Sequence, residues 1–210
     1  MLYQITRPII IGRFVFLSME FFDSFSGFSP GASSSLQDFI ESQDSGFSEM
    51  TLKKNAFLVS EGEICPYFCL IKTGILQHSI LVDAEEKTTY LGLANSITSS
   101  LGSFLFRKPS RKSIKALSDT NLLVIDRESF GKLLAENATF NKLYYELLER
   151  QLCLIDDYRI DLLTLTPEER YAKILETEPE LIKEVPLHYL ASFLGISTRH
   201  MSRIRKSVFG

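Results

Sequence analysis

Residues 185–206 read VPLHYLASFLGISTRHMSRIRK, and this segment decides the architecture of the chain's C-terminal end. Pro186 opens a helix, since its fixed φ suits a first turn. Ala191 is small enough for a second helix to cross closely, and Gly195, four residues on, stands where a left-handed turn costs glycine least. Ser197 is placed to cap the next helix. Leu190, Leu194, Ile196, Met201 and Ile204 supply the apolar contacts between the two. The pattern is a helix-turn-helix.

Charge follows the same division. The 210 residues carry a net charge of −3, too small to name a partner. Residues 185–210, however, hold Arg199, Arg203, Arg205 and Lys206 and no acidic residue, a local +4, whereas residues 1–184 hold the other 19 basic and all 26 acidic residues, a local −7. Basic and polar residues concentrate on the second helix, the one that would enter a major groove. Helix-turn-helix folds also bind proteins, and basic residues near a helix C-terminus favour the dipole in any case.

Upstream, Thr166-Pro167-Glu168-Glu169 is a helix start with Thr166 as N-cap, Pro167 first in the helix and Glu169 closing a capping box. The helix runs over 167–177 and ends before Pro179; two more short helices follow. Before it, Thr139–Leu163 has no Gly or Pro, and Tyr144, Leu147, Gln151, Leu154 and Tyr158 recur at spacings of three and four. A helix that long can cover a core with one side and meet a second copy with the other; a core helix without a partner is the alternative. A short helix is predicted over 128–136.

From Thr51 to Asp126 the reading is β. The runs AFLVS (56–60), YFCLIKT (67–73), ILQHSILV (75–82) and LLVI (122–125) alternate with turn signals at Glu61-Gly62-Glu63, Gly74, Asp83-Ala84-Glu85-Glu86 and Asp119-Thr120-Asn121. Short strands at such intervals predict a sandwich or barrel. Residues 1–35 include FFDSFSGFSPGASSS and hold no period for long. They read as a flexible arm, a poorly packed extension, or sequence upstream of a start at Met19.

Hydrophobic residues make up 45% of the chain and charged ones 23%, which fits a folded protein of one or two domains and excludes a fibre or a disordered tail. Three cysteines, Cys65, Cys69 and Cys153, do not form a disulfide framework and suit a reducing compartment, so the expected location is the cytoplasm. The apolar run Pro8–Leu17 is interrupted by Arg13 and is too short to span a membrane.

The order of parts resembles the Crp/Fnr family of bacterial transcription regulators over residues 36–206. The resemblance is carried by SEGEICPYFCLIKTGIL (60–76), PSRKSIKALSDTNLLVIDRESF (109–130), TPEERYAKIL (166–175) and VPLHYLASFLGISTRHMSRIRK, the last two being especially similar to members found in Bacteroidetes. It implies an α+β chain in four parts. Residues 1–35 are an extension; 36–137 form a double-stranded β-helix (jelly-roll) sensor domain of the cyclic nucleotide-binding type; 138–165 form a dimerisation helix; and 166–210 form an all-α helix-turn-helix domain.

The resemblance further implies a homodimer that reads two-fold symmetric double-stranded DNA, with half-sites about one helical turn apart. Thr198, Arg199 and Arg203 are expected on bases, Ser197, His200, Arg205 and Lys206 mainly on phosphates, and Ser202 at the same surface. The dimer contact falls to Tyr144, Leu147, Gln151, Leu154 and Tyr158. A signal at the β-roll would alter the packing of helix 139–163 and so the spacing of the recognition helices.

Departures from the family qualify this. Members that bind cyclic nucleotides carry a Gly-Glu pair for the ribose and an Arg for the phosphate. Here the region reads LGSFLFRKPSRKSIKAL (101–117), without the Gly-Glu pair, so the effector is expected to be something other than cyclic AMP, and Arg107 and Arg111 read as solvated charge. Fnr-like members hold an iron–sulfur cluster on four thiolates; the three cysteines here, and the scattered His78, His188 and His200, define no metal site. No cofactor is expected. Many members continue from the recognition helix into a β-hairpin wing, whereas only Ser207–Gly210 follow Lys206, which shifts affinity onto the dimer and onto a partner such as RNA polymerase.

An enzyme is disfavoured, because the sequence offers no Gly-rich phosphate loop and no nucleophile with a base. Asp156-Asp157 and Glu168-Glu169 read as helix-surface charge or caps. The remaining alternative is a ligand-sensing dimer whose helix-turn-helix binds protein.

Overall fold

In a computed structural model, residues 31–42 and 45–209 are described; the low-complexity residues 1–30 lie outside them. The chain begins with α1 (Gly31–Glu41), continues through β1 (Ser48–Leu52), β2 (Phe57–Val59), β3 (Tyr67–Thr73), β4 (Leu76–Val82), β5 (Glu85–Gly92) and β6 (Ile97–Thr98), and then forms the short α2 (Leu101–Phe106). β7 (Ser113–Ala116) and β8 (Thr120–Asp126) complete the strands. Six helices follow: α3 (Arg127–Glu136), α4 (Ala138–Thr164), α5 (Pro167–Thr177), α6 (Pro179–Glu184), α7 (Leu187–Leu194) and α8 (Thr198–Phe209).

The strands form two four-stranded antiparallel sheets, in the orders β1-β8-β3-β6 and β2-β7-β4-β5, as the β-sandwich reading requires. The predicted runs fall on β2, β3, β4 and β8. Four strands were not predicted: β1, β5, β6 and β7. The turn expected over 83–86 is shorter than its charged sequence suggests, because Asp83 (φ 51°) and Ala84 (φ 63°) both take left-handed backbone and reverse the chain in two residues, which frees Glu85 and Glu86 to pair in β5. Gly74 makes the other tight reversal. At φ +93° it lies so close to the next strand that a Cβ would sit 2.4 Å from Thr120 Oγ1 and 2.6 Å from the Asp119 carbonyl.

Helices close the sandwich on one side. Phe68 of β3, Phe104 of α2, Phe130 of α3, and Phe140 and Tyr144 of α4 form a continuous aromatic cluster, with Phe68–Phe130 centroids at 5.1 Å and Phe130–Tyr144 at 5.2 Å. α1, which begins inside the segment assigned to the extension, joins it through Phe39, 5.4 Å from Phe140. Asp126 caps α3, accepting the N–H groups of Glu128 at 2.8 Å and Ser129 at 3.0 Å. α4 is 27 residues long, about 40 Å.

A second core lies on the outer face of the β4–β5 sheet. Ile75, Leu91, Leu93 and Leu117 there meet Tyr171 of α5, Leu181 and Ile182 of α6, and Leu190, Phe193 and Leu194 of α7. The backbone N–H of Thr88 donates to Ser192 Oγ at 2.9 Å across the same contact. The C-terminal helices thus rest on the sandwich of their own chain.

Candidate nucleic-acid interface

The capping box that starts α5 has the expected form. Thr166 Oγ1 accepts the Glu169 N–H at 3.2 Å, Glu169 Oε2 accepts the Thr166 N–H at 2.7 Å, and Pro167 occupies the first helical position. Between Val185 and the end of α5 lies one more helix than expected, α6. Pro179 ends α5, but it also begins a new turn of helix, since a proline's missing N–H is no loss at a first position.

The helix-turn-helix is α7 and α8. Gly195 turns the chain in the left-handed region (φ 74°, ψ 28°), and the Ile196 N–H returns to the Ala191 carbonyl at 3.0 Å. Ser197 Oγ accepts the His200 N–H at 3.2 Å and so caps α8. Leu190, Ala191, Leu194, Met201 and Ile204 are buried between the helices.

Burying Met201 and Ile204 fixes which side of α8 faces out. Arg199, Ser202, Arg203 and Lys206 recur at helical spacing on one stripe; the three basic residues are exposed, and Thr198 and Ser197 are exposed at its N-terminal end. His200 and Arg205 turn aside toward α5. His200 Nε2 lies 2.7 Å from Glu168 Oε1, and Arg205 lies beside Tyr171. Glu168 is held below the usual carboxylate range, first by a backbone hydrogen bond and then by His200, with Arg203 adding its charge. Sequence reasoning did not single out Glu168 as part of this surface, because its neighbours are 32 residues away in the chain.

The predicted dimer residues are placed differently from expectation. Tyr144 packs into the aromatic cluster, Leu147 lies against it, Gln151 and Leu154 are buried, and Tyr158 stacks on Phe193 of α7. All five serve intrachain packing. The outward side of α4 carries the next residue along in nearly every case: Tyr145, Leu148, Leu152, Ile155, Arg159 and Leu162, at spacings of three, four, three, four and three, with Leu152 67% exposed.

In the sandwich, Cys65 and Cys69 are fully buried and burial pushes the Cys69 thiol up, while Cys153 is exposed on α4. Arg107 and Arg111 are exposed. Among the described residues, no helix is long and apolar enough to cross a membrane.

A two-sheet sandwich followed by a long helix and a helix-turn-helix defines the architecture of Crp/Fnr-type regulators, with a cyclic nucleotide-binding domain as the sandwich. Residues 49–137 match the family model of the cyclic nucleotide-binding domain. Solved structures share the whole arrangement. FixK2 from Bradyrhizobium japonicum superimposes with a TM-score of 0.64 at 17% identity, over 77% of this chain and 84% of that one. A variant of CooA from Carboxydothermus hydrogenoformans gives 0.63 at 19%, over 82% and 83%. A regulator from Eubacterium rectale assigned to the Crp/Fnr family gives 0.59 at 18%, over 86% and 83%. No curated protein matches the chain.

Proposed function

We propose that the chain is a homodimeric, DNA-binding transcription regulator of the Crp/Fnr type, without enzymatic activity, controlled by an effector other than cyclic AMP at the β-roll. The observation that carries the reading is the stripe Arg199, Ser202, Arg203 and Lys206, displayed by a helix whose opposite side is buried. Arg199 and Arg203, with Thr198 at the helix start, take base edges; Lys206, Ser197 and Ser202 take phosphates. His200 and Arg205 act from the flank nearest α5.

The four-part division at 35, 137 and 165 is retained, with α1 joining the sensor domain. Dimerisation runs along Tyr145, Leu148, Leu152, Ile155, Arg159 and Leu162 of α4, a seam with the heptad spacing of a two-stranded coiled coil. Two copies then present two α8 helices to successive major grooves, and a signal at the roll shifts their spacing through α4. RNA polymerase is a further partner of such a regulator, and the cytoplasm is its place of work.

The test is the salt dependence of DNA binding by the dimer. Wild-type protein binds with a slope of log Kd on log salt of about 0.9 per phosphate contact; Arg199→Ala with Arg203→Ala loses binding while remaining dimeric. Salt-independent binding, or binding that survives the double substitution, contradicts the reading and leaves a protein-binding helix-turn-helix.

A further inference from the structure

A lysine inside a β-sandwich is costly unless an anion accompanies it. Lys112 is such a lysine. In β7, Ile114 and Ala116 are fully buried on the inner face, while Ser113 and Lys115 face out, Ser113 Oγ accepting the Glu61 N–H at 2.9 Å and Lys115 Nζ reaching Glu86 at 3.3 Å. The two-residue period of the strand carries Lys112 to the same inner side as Ile114. Its charge acts on His78 and interacts with Cys65, both fully buried. Among the described residues, no carboxylate is buried and none pairs with the Lys112 ammonium.

The surroundings are rich in hydroxyls. Thr98 Oγ1 lies 2.7 Å from His78 Nε2, Ser100 and Ser110 meet at 2.8 Å, and Ser103 Oγ accepts the Cys65 N–H at 2.8 Å; all four hydroxyl residues are buried. His78 Nδ1 has no partner. Burial holds this imidazole neutral, so one nitrogen carries hydrogen and the other accepts. When the Thr98 hydroxyl donates to Nε2, Nδ1 is a buried donor without an acceptor. Burial also pushes Lys112 down to about 8, which leaves it protonated in most molecules at neutral pH.

We propose that Lys112 and His78 form the anion-binding end of a ligand site inside the β-roll, and that the effector is a small molecule recognised through a carboxylate or phosphate group. The site supplies an ammonium, an imidazole N–H and neighbouring hydroxyls, and it lacks the acid that would neutralise Lys112 from within. This rests on, and deepens, the reading of the roll as a sensor.

Thermal unfolding of the full-length protein tests it, with sodium phosphate or sodium acetate titrated against sodium chloride at constant ionic strength. Wild-type Tm is expected to rise saturably with phosphate, acetate or both, and the anion that acts identifies the headgroup. Lys112→Met is expected to lose that rise, and to be more stable than wild type without anion, because it removes an unpaired buried charge. Lys115→Met, which alters only the outer face, is expected to keep it. Identical responses of wild type and Lys112→Met, or no response of the wild type to either anion, overturn the site. DNA affinity measured with and without the active anion separates the two ideas: binding without any change in DNA affinity keeps the anion site and refutes the sensor reading.

Discussion

Tyr158 of the long helix stacks on Phe193 of the first helix of the helix-turn-helix, with ring centroids 6.2 Å apart and planes 18° from parallel. The pair ties α4 to the C-terminal helices. Phe193 is also buried against the outer face of the β4–β5 sheet, so one side chain connects three parts of the chain. Phe193→Ala should cost about 3–5 kcal/mol, and Tyr158→Leu, which keeps area but not the stack, about 0.5–1.5 kcal/mol. Urea unfolding measures both, and equal costs would refute a specific role for the stacked pair.

The two stripes on α4 make opposite predictions. Leu152, 67% exposed on the outer seam, should tolerate Leu152→Glu as a folded chain while the dimer dissociates in sedimentation equilibrium. Leu154, 5% exposed and facing inward, should behave the other way: Leu154→Ala destabilises the fold by about 2–5 kcal/mol and leaves association among folded molecules intact.

This off-by-one placement shows what the sequence could and could not disclose. A helix lying between its own core and a second copy needs two apolar stripes, and residues 144–158 and 145–162 both keep three-and-four spacing. Periodicity recognises each stripe but does not say which is already covered; only burial by Phe68, Phe130 and Phe193 decides. The helix-turn-helix was legible because its signals are local and chemically distinct: Gly195 for the turn, Ser197 for the cap, Arg199 and Arg203 against a background without acids. β5 and β7 escaped notice for the opposite reason. Glu85-Glu86-Lys87 and Ser113–Ala116 are polar or short, and they are strands because β4 pairs with both. Lys112 and Glu168 are likewise ordinary charges in sequence, and only the strand period and the α5–α8 contact give them surroundings.

Caps give a direct stability test. Thr166→Ala removes one half of the α5 capping box and should cost about 1 kcal/mol, with Thr166→Ser restoring most of it. Unfolding of the full-length chain reads the difference.

Acid sensitivity follows from the other cap. Hydrogen bonds from Ser129, then from Glu128, hold Asp126 below its ordinary value of 3.8. Because the folded value is the lower one, its contribution is complete above pH 3.8 and is lost as pH falls through the folded pKa. Asp126→Asn, which still caps but does not titrate there, should flatten that part of the stability profile; an unchanged acid limb would contradict the assignment.

Gly74 tests the sandwich itself. Gly74→Ala places a methyl against Thr120 and the Asp119 carbonyl at positive φ, so it should destabilise the protein by more than the ~1 kcal/mol typical of a point substitution.

The central claim is that α8 reads DNA through Arg199 and Arg203. The most direct measurement is recovery of genomic fragments bound by the purified full-length protein at low and high salt, with the Arg199→Ala/Arg203→Ala variant in parallel. The account predicts fragments sharing a two-fold symmetric sequence, retained less at high salt and absent with the variant. Equal recovery by wild type and variant at low salt, or enrichment without any shared symmetric sequence, would contradict it.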